Sequence, residues 1–402
     1  MNPQNITYHP EPVKRFVIVG KDSKDKKSSA EKYLTGMLSS YDHLFAFIDK
    51  ELMSKSRIVR DLVVELQEMG CQIREVEATE EEKTMDSVLE MCSWLMEKGA
   101  DRDAVLVAIG GGITTDMVGF AAGIYKRGVR FVNIPSTLLA QVDAAIGGKT
   151  GVNFEKYKNI LGVIRQPVMT FIWPSLLTSL PRRDFLSGAA EMIKTFIIED
   201  NGNYRKAADL FFDMSGEYNM EVLMNGKDEK KTWAGIMNKH MDTLCELIGA
   251  AANVKSGVVS RDQFERDERR KLNLGHTFAH AIETLAQRDG GERFRHPEDA
   301  QHPQGVTHGE AVAMGLVLAA RLADRYYRKD MNDPTELESV LSNDLWDSDI
   351  PCYCPYTVEE MAETMKKDKK AEGGKIHFVL PKAVGDVEIV DLTVEEVCRL
   401  MA

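Results

Sequence analysis

Through the first half of the chain, short apolar runs rich in valine, isoleucine and phenylalanine alternate with stretches of helical periodicity. Residues 15–20 (RFVIVG), 43–49 (HLFAFID), 71–77 (CQIREVE), 104–110 (AVLVAIG) and 130–135 (RFVNIP) have the length and β-branched content of strands. Strands alternating with helices imply a parallel sheet covered on both faces. The solvated segment 21–33 (KDSKDKKSSAEKY) reads as a loop or a helix start.

Beyond Pro181 the apolar spacing becomes helical, over 185–200, 239–262, 274–287 and 308–329. Two polar stretches, 219–231 (NMEVLMNGKDEKK) and 287–307 (QRDGGERFRHPEDAQHPQGVT), read as surface loops. Near the end, 375–381 (KIHFVLP) and 386–392 (DVEIVDL) read as two strands around a turn. The pattern predicts an α/β protein: a Rossmann-like α/β domain over residues 1–180, followed by a mainly α-helical domain over 181–402.

Composition narrows the function without changing that picture. The chain has 402 residues, with 51 Lys plus Arg against 63 Asp plus Glu, a net charge of −12. This argues against a nucleic-acid partner and gives any local cluster of cations more meaning. The six cysteines are scattered without a disulfide framework, and Cys352 and Cys354 alone are close, so reduced structural thiols are expected. The first residues lack a signal-peptide core and no stretch reaches transmembrane length, which points to the cytoplasm and to no membrane partner.

The chemistry-bearing residues are concentrated. Gly110, Gly111 and Gly112 follow a predicted strand, and Asp116 and an apolar helix come next. Glycines there admit a pyrophosphate close to the backbone, at a helix N-terminus that favours negative charge. The spacing is G-G-G-x-x-x-D rather than G-x-G-x-x-G, so a plain tight turn is the competing reading. Asp143, Lys149, Asn153, Lys158 and Asn159 cluster among glycines in a segment that suits a polyhydroxylated anion or an ordinary solvated loop. Glu191 and Lys194 share a helix face whose neighbours are small or apolar.

In the run RRKLNLGHTFAHAIE, Arg269, Asn273, His276 and His280 fall at i, i+4, i+7 and i+11, predicting one continuous helical stripe of cation, amide and two imidazoles. His308 opens a further helix, where the N-terminus disfavours imidazolium and keeps the ring in its metal-binding form. Glu191, His276 and His308 make a two-histidine, one-carboxylate set, typical of catalytic zinc though cobalt, iron or manganese fits too. There is no H-E-x-x-H and hence no sign of metalloprotease chemistry.

The blocks GGGITTDMVGFAAGIYKRGVRFVNIPSTLLAQVDAAIGGKTGVN, GAAEMIK, KSGVVSRDQFERDERRKLNLGHTFAHAIE, HGEAVAMG and DKK resemble the 3-dehydroquinate synthases in order, spacing and residue type. The resemblance implies an N-terminal NAD-binding domain, a helical metal-binding domain and an active site between them. It implies conversion of the sugar acid phosphate DAHP to 3-dehydroquinate and phosphate in the shikimate pathway. The implied steps are transient oxidation by NAD, phosphate elimination, re-reduction, ring opening and an internal aldol closure, with the substrate's own phosphate as proton acceptor. NAD returns oxidised. The implied ligands for zinc or cobalt are Glu191, His276 and His308. Substrate contacts are implied for Asp143, Lys149, Asn159, Lys194, Lys255, Arg269, Asn273, His280 and Lys369, and for Arg127 lent across a homodimer interface. NAD contacts are implied for Gly111, Gly112, Ile113, Asp116, Ser136 and Thr137, and for Asp49, Glu77 and Lys83.

The chain departs from the family pattern at Ala279 and Asp267, where glycine is common, and in the longer segment 287–307. The segment FIDKELMSK follows the family only loosely. The alternatives are another sugar phosphate cyclase, a metal-dependent polyol or glycerol-phosphate dehydrogenase, and a non-catalytic NAD-binding scaffold. Retention of Lys149, Asn159, Asn273 and His280 favours dehydroquinate synthase over other cyclases. A scaffold has no need of the metal and cation sets.

Overall fold

The structure is a computed structural model, described over residues 16–20, 22, 30–155, 157–199, 202–294, 305–327, 337–366 and 374–402. Its first half contains β1 (Phe16–Val19), α1 (Ala30–Leu38), β2 (Leu44–Asp49), α2 (Lys50–Lys55), α3 (Arg57–Glu68), β3 (Gln72–Val76), α4 (Met85–Glu97), β4 (Val105–Gly110), α5 (Gly112–Ile124), β5 (Arg130–Pro135), β6 (Lys149–Phe154), β7 (Tyr157–Ile164) and β8 (Met169–Ile172). Six of these strands form a parallel sheet in the order β1-β8-β5-β4-β2-β3. Central β4 is buried at every position. Val105, Val107 and Ile109 face α1 and α3, and Leu106 and Ala108 face α4 and α5. A strand apolar on both faces belongs in the middle of a parallel sheet covered on both sides, as the run AVLVAIG predicted.

β6, β7 and β8 were not expected from the apolar pattern of the chain. β6 and β7 pair as an antiparallel hairpin that stands apart from the main sheet. Gly151 and Gly162 oppose each other on it, and a Cβ on Gly151 would lie 2.5 Å from the Leu161 carbonyl oxygen. The hairpin carries Lys149, Asn153, Lys158 and Asn159 on its two strands, in a segment the sequence left open between an anion-binding cluster and a solvated loop. β6 is polar and glycine-rich, and the apolar run of β7, residues 160–164, is interrupted by Gly162 and never fully buried, so neither strand shows a core-facing alternation.

The chain leaves the sheet at Ile172 and becomes helical: α6 (Arg182–Ile198), α7 (Asn203–Asn219), α8 (Glu229–Arg261), α9 (His276–Arg288), α10 (His308–Tyr327), α11 (Leu337–Asp347) and α12 (Val358–Met365). A hairpin of β9 (Ile376–Ala383) and β10 (Asp386–Leu392) and the C-terminal α13 (Val394–Met401) complete it. α6 is buried from Phe185 to Ile198 and lies in the core of this half. The polar stretch 219–231, expected as a loop, is helical at both ends. α7 runs to Asn219, a π turn covers Met220–Met224, and the Asp228 carboxylate caps α8 by accepting from the Lys231 amide at 2.9 Å. α8 therefore begins ten residues before the predicted helix at 239, with Trp233, Ile236 and Met237 anchoring the added turns in the core. In 287–307, α9 extends to Arg288 and a short turn covers Glu292–Phe294, while 295–304 lie outside the described residues.

None of the six cysteines forms a disulfide. No helix among the described residues is long and apolar enough to cross a membrane.

α9 and α10 cross with almost no room between backbones. Gly275, just before α9, has φ 76°, the left-handed region that glycine tolerates best. A Cβ on Gly315 would lie 2.2 Å from the Gly275 carbonyl oxygen. Gly315→Ala is expected to cost about 1–3 kcal/mol through overpacking, read as a lower urea midpoint. An unchanged midpoint would show that the α9–α10 spacing is not set there.

Candidate active site

The glycine turn sits at the carboxyl end of β4. Gly110 ends the strand, Gly111 is the N-cap of α5 and Gly112 opens the helix, with no side chain capping its first amides. The turn is sterically closed: a Cβ on Gly110 would meet Thr114 Oγ1 at 2.3 Å, and one on Gly111 would meet Thr137 Cγ2 at 3.0 Å. Free amides at the start of a long helix and a backbone bare of side chains suit a pyrophosphate. Ile113 continues the helix, Ser136 donates its amide to the Gly110 carbonyl at 2.9 Å, and Thr137 Oγ1 accepts from the Ala140 amide at 3.2 Å.

Asp49 and Glu77 lie at the carboxyl ends of β2 and β3, on the same edge of the sheet. Asp49 caps α2 through the Glu51 amide at 2.9 Å, and Glu77 accepts from Lys50 at 2.8 Å. Lys83 is buried and donates to Asp116 Oδ2 and to Asn159 Oδ1, each at 2.6 Å. It thus joins α5 to the β6–β7 hairpin. Burial pushes the Asp116 carboxyl up to about 6, against the opposing pull of the Lys83 ammonium.

The metal set forms where α6, α9 and α10 meet. One ligand atom from each of Glu191, His276 and His308 lies within 4.8 Å of the other two. Glu191 Oε1 is 3.3 Å from His308 Nε2 and 3.7 Å from His276 Nε2. The His276 Nδ1–H donates to the Leu274 carbonyl at 3.1 Å, which leaves Nε2 as the free lone pair. Burial and the neighbouring Lys194 hold His276 well below the usual histidine range, in its neutral form. His308 opens α10 beside α6, because Gly309 packs its backbone onto Ser187: a Cβ there would lie 2.0 Å from the Ser187 carbonyl oxygen. Burial works against charge on His308, yet Glu191 and Glu283 raise it to about 10.

Glu191 is 1% exposed, and neither of its oxygens receives a hydrogen bond of good geometry, although the Lys194 ammonium touches the carboxylate. A buried carboxylate with free lone pairs, facing two imidazole nitrogens, is a donor set for a divalent cation such as zinc or cobalt. Burial opposes the Glu191 charge, and Lys194 and both histidines hold its pKa well below the usual range.

Around this set stand buried cations. Asp143, in the π turn Ala140–Ala144, pairs with Lys255 from α8 and lies 3.8 Å from Lys194. Burial alone would neutralise Asp143, but the two ammoniums keep its pKa low. Burial pulls the Lys255 pKa down, whereas Lys194, between Asp143 and Glu191, is raised in spite of burial.

The predicted stripe is corrected. Arg269 and Asn273 lie in a 3-10 turn, Glu268–Asn273, and α9 starts only at His276. Gly275 breaks the helix with its positive φ, so helical spacing does not carry across 269–280. His276 and His280 do share α9, with ring centroids 5.6 Å apart. Arg269 is 2% exposed and donates to the carbonyls of Gln263 at 2.6 Å and Gly147 at 2.9 Å, bracing the two halves. Asn273 donates to Glu265 at 2.8 Å, and Lys149, from the hairpin, pairs with the same carboxylate.

Two predicted residues are not brought into this cluster. Arg127 is exposed in the turn Tyr125–Arg127, just before β5, at the opposite end of the strands from the glycine turn. Lys369 lies outside the described residues. Two unpredicted carboxylates belong to the site, Glu265 and Glu283. Glu283 had a signal, since it continues the His276–His280 face of α9 one turn further. Glu265 had none, because it stands in an irregular loop at φ 56°.

Fold and site together define a class of protein in which a nucleotide-type α/β domain is joined to a helical domain carrying two histidines and a glutamate. Residues 73–187 match the family model described as 3-dehydroquinate synthase N-terminal, and 188–371 the one described as 3-dehydroquinate synthase C-terminal. A 3-dehydroquinate synthase of Dictyoglomus thermophilum is 36% identical over 312 residues, 78% of this chain and 76% of that protein. The chain belongs to the 3-dehydroquinate synthase family. Among solved structures, 2-epi-5-epi-valiolone synthase from Streptomyces hygroscopicus subsp. jinggangensis 5008, with NAD+ and Zn2+ bound, superposes with a TM-score of 0.73 at 26% identity over 98% of each chain. A 2-deoxy-scyllo-inosose synthase, complexed with carbaglucose-6-phosphate, NAD+ and Co2+, shares the fold with a TM-score of 0.70 at 22% identity over 96% of this chain and 95% of that one.

The Asp116 carboxyl is expected to titrate near 6 in carboxyl-labelled NMR. In Lys83→Met its titration point should move further up, as the opposing ammonium is gone. The native value exceeds the unfolded value of about 3.9. Native Asp116 therefore holds its proton across that window, and its contribution makes stability fall as pH rises through it. A titration point that stays put in the variant would remove Lys83 as its partner.

Proposed function

We propose that the protein is a 3-dehydroquinate synthase, a phosphate-eliminating carbon–oxygen lyase that converts DAHP to 3-dehydroquinate and phosphate in the shikimate pathway and so serves aromatic amino-acid biosynthesis. The observation that carries this reading is the Glu191–His276–His308 set, built on a buried glutamate beside the buried Lys194 and Lys255, in a chain whose two halves match both halves of the family. A dehydrogenase acting on a neutral polyol has no need of so many buried cations.

In this reading Glu191, His276 and His308 would hold a zinc or cobalt ion, and Gly111, Gly112, Ile113, Asp116, Ser136 and Thr137, with Asp49, Glu77 and Lys83, would hold NAD. When bound, the cation supplies Lewis acidity to substrate oxygens and NAD takes up and returns a hydride. The chain's own residues do the rest. Lys149, Lys194, Lys255 and Arg269 offset the charge of a phosphate and a carboxylate, and Asn159 and Asn273 orient hydroxyls through paired donor and acceptor. Asp143 keeps Lys194 and Lys255 in place. His280, close to His276 on α9, is the group for proton transfer or phosphate contact. Lys369 joins the substrate contacts from its own segment.

Arg127 supports a homodimer. It stands away from its own chain's cleft, at an end of the sheet where a partner's cleft can take it up. Such a contact repeats twice in a two-fold dimer. A small-molecule biosynthetic enzyme of this kind works in the cytoplasm.

Purified protein given DAHP, NAD and zinc or cobalt is expected to release phosphate without accumulating NADH, and chelation should abolish the release. His276→Ala should bind no zinc and show no turnover. NADH accumulating on a polyol, with no phosphate released from DAHP, would place the chain among the dehydrogenases instead.

Arg127→Ala should weaken DAHP binding by about ten- to a hundredfold, the worth of one charge-assisted hydrogen bond. Mixing it with His276→Ala under subunit exchange should restore part of the activity. Unchanged kinetics, or no recovery on mixing, would remove the shared arginine.

A further inference from the structure

His276 and His308 are oriented in different ways. The Nδ1–H of His276 is fixed by a backbone carbonyl, that of Leu274, so the fold itself sets its tautomer. His308 opens α10, and its Nδ1 instead faces a side chain: Glu283 Oε1, at 3.4 Å. Its other nitrogen, Nε2, faces Glu191 Oε1 at 3.3 Å. In the neutral ring that a cation requires, a proton kept on Nδ1 by Glu283 leaves the Nε2 lone pair pointing into the space shared with Glu191 and His276.

Glu283 also reaches in a second direction. The same Oε1 lies 3.3 Å from Lys158 Nζ, on the β6–β7 hairpin across the cleft. The Glu283 side chain is 14% exposed and that of Lys158 is 56% exposed, so the carboxylate is an inward-facing group and the lysine a rim group laid over it. The next residue, Asn159, accepts from Lys83, which in turn holds Asp116 on α5. Contacts thus run without interruption from the helix behind the glycine turn, through the hairpin, to a metal ligand.

We propose that Glu283 is a positioning residue that holds His308 in its metal-binding tautomer and, through Lys158, ties that ligand to the β6–β7 hairpin. This rests on the metal reading of Glu191, His276 and His308 and adds two things to it. Cation affinity depends on a residue that is not a ligand, and cation loading steadies a hairpin belonging to the other half of the molecule.

The experiment compares wild type, Glu283→Ala, Glu283→Gln, Lys158→Met and His276→Ala. Zinc affinity is measured by competition with a chromogenic chelator, the visible spectrum is recorded with cobalt, and hydrogen exchange of residues 157–164 is followed with and without zinc. Glu283→Ala should lose about ten- to a hundredfold in zinc affinity, the usual effect of removing a carboxylate behind a ligating histidine. Glu283→Gln, which can still accept from Nδ1–H, should lose less, with an altered cobalt spectrum and an unchanged apo melting temperature. Lys158→Met should change zinc affinity by less than about fivefold, since the pair is solvent-screened. Zinc should slow exchange in 157–164 of wild type but not of Lys158→Met or the Glu283 variants.

If Glu283→Ala does not fold, Glu283→Gln and Lys158→Met carry the test from either side. Wild-type zinc affinity and cobalt spectrum in Glu283→Gln, together with wild-type affinity in any folded Glu283→Ala, would overturn the positioning role. Zinc-dependent protection persisting in Lys158→Met would overturn the link to the hairpin. A wild-type chain that binds neither ion would overturn the metal reading itself, and this inference with it. Zinc binding by wild type but not by His276→Ala, with the Glu283 variants unaffected, would leave the metal reading standing and sink this inference alone.

Discussion

Glu191 and Lys194 lie one turn apart on α6, both 1% exposed, in a helix buried from Phe185 to Ile198. Much of the molecule follows from that placement. A carboxylate and an ammonium taken out of water are costly, and one ion pair seldom offsets the loss of hydration. The structure therefore surrounds them. Asp143 approaches Lys194 from the turn after β5, Lys255 pairs with Asp143 from α8, and His276 and His308 close on Glu191 from α9 and α10. Each side chain satisfies part of another's charge. Small residues let these elements come close enough: Gly188 against Leu138 and Leu139, Gly309 against Ser187, Gly315 against Gly275.

What the sequence makes legible follows from the same logic. Glu191 could be picked out because its neighbours Ala190, Met192 and Ile193 have no reason to carry a charge among them. The glycine turn was visible because β4 is apolar at nearly every position and ends on three glycines. The β6–β7 hairpin was not visible, because its strands mix glycine, lysine and asparagine and one of them faces solvent, so no period of two emerges. The stripe from Arg269 to His280 misled for a definite reason. Helical spacing assumes an unbroken helix, whereas Gly275 is there to let α9 meet α10, and it ends the regular geometry just where the pattern looked continuous. Glu265 acts through a left-handed backbone in an irregular loop, a feature with no sequence period.

The cleft also resolves an apparent conflict in the composition. A chain of net charge −12 gathers lysines around its candidate site without leaving them bare. Lys149 holds Glu265, Lys255 holds Asp143, Lys194 lies between Asp143 and Glu191, Lys83 holds Asp116 and Lys158 holds Glu283. Gathered without Asp143 and Glu191, the buried ammoniums of Lys194 and Lys255 would repel one another in a medium that screens poorly, whereas Lys149 and Lys158 at the rim are screened by water. With the carboxylates, the cleft is close to neutral and keeps its shape. An anion entering such a site would exchange partners with carboxylates already present, so the net gain per contact would be small and depend on geometry. Such a site discriminates by how well a ligand's charges coincide with several fixed cations at once, and an anion that reaches only one of them gains little over the carboxylate it displaces.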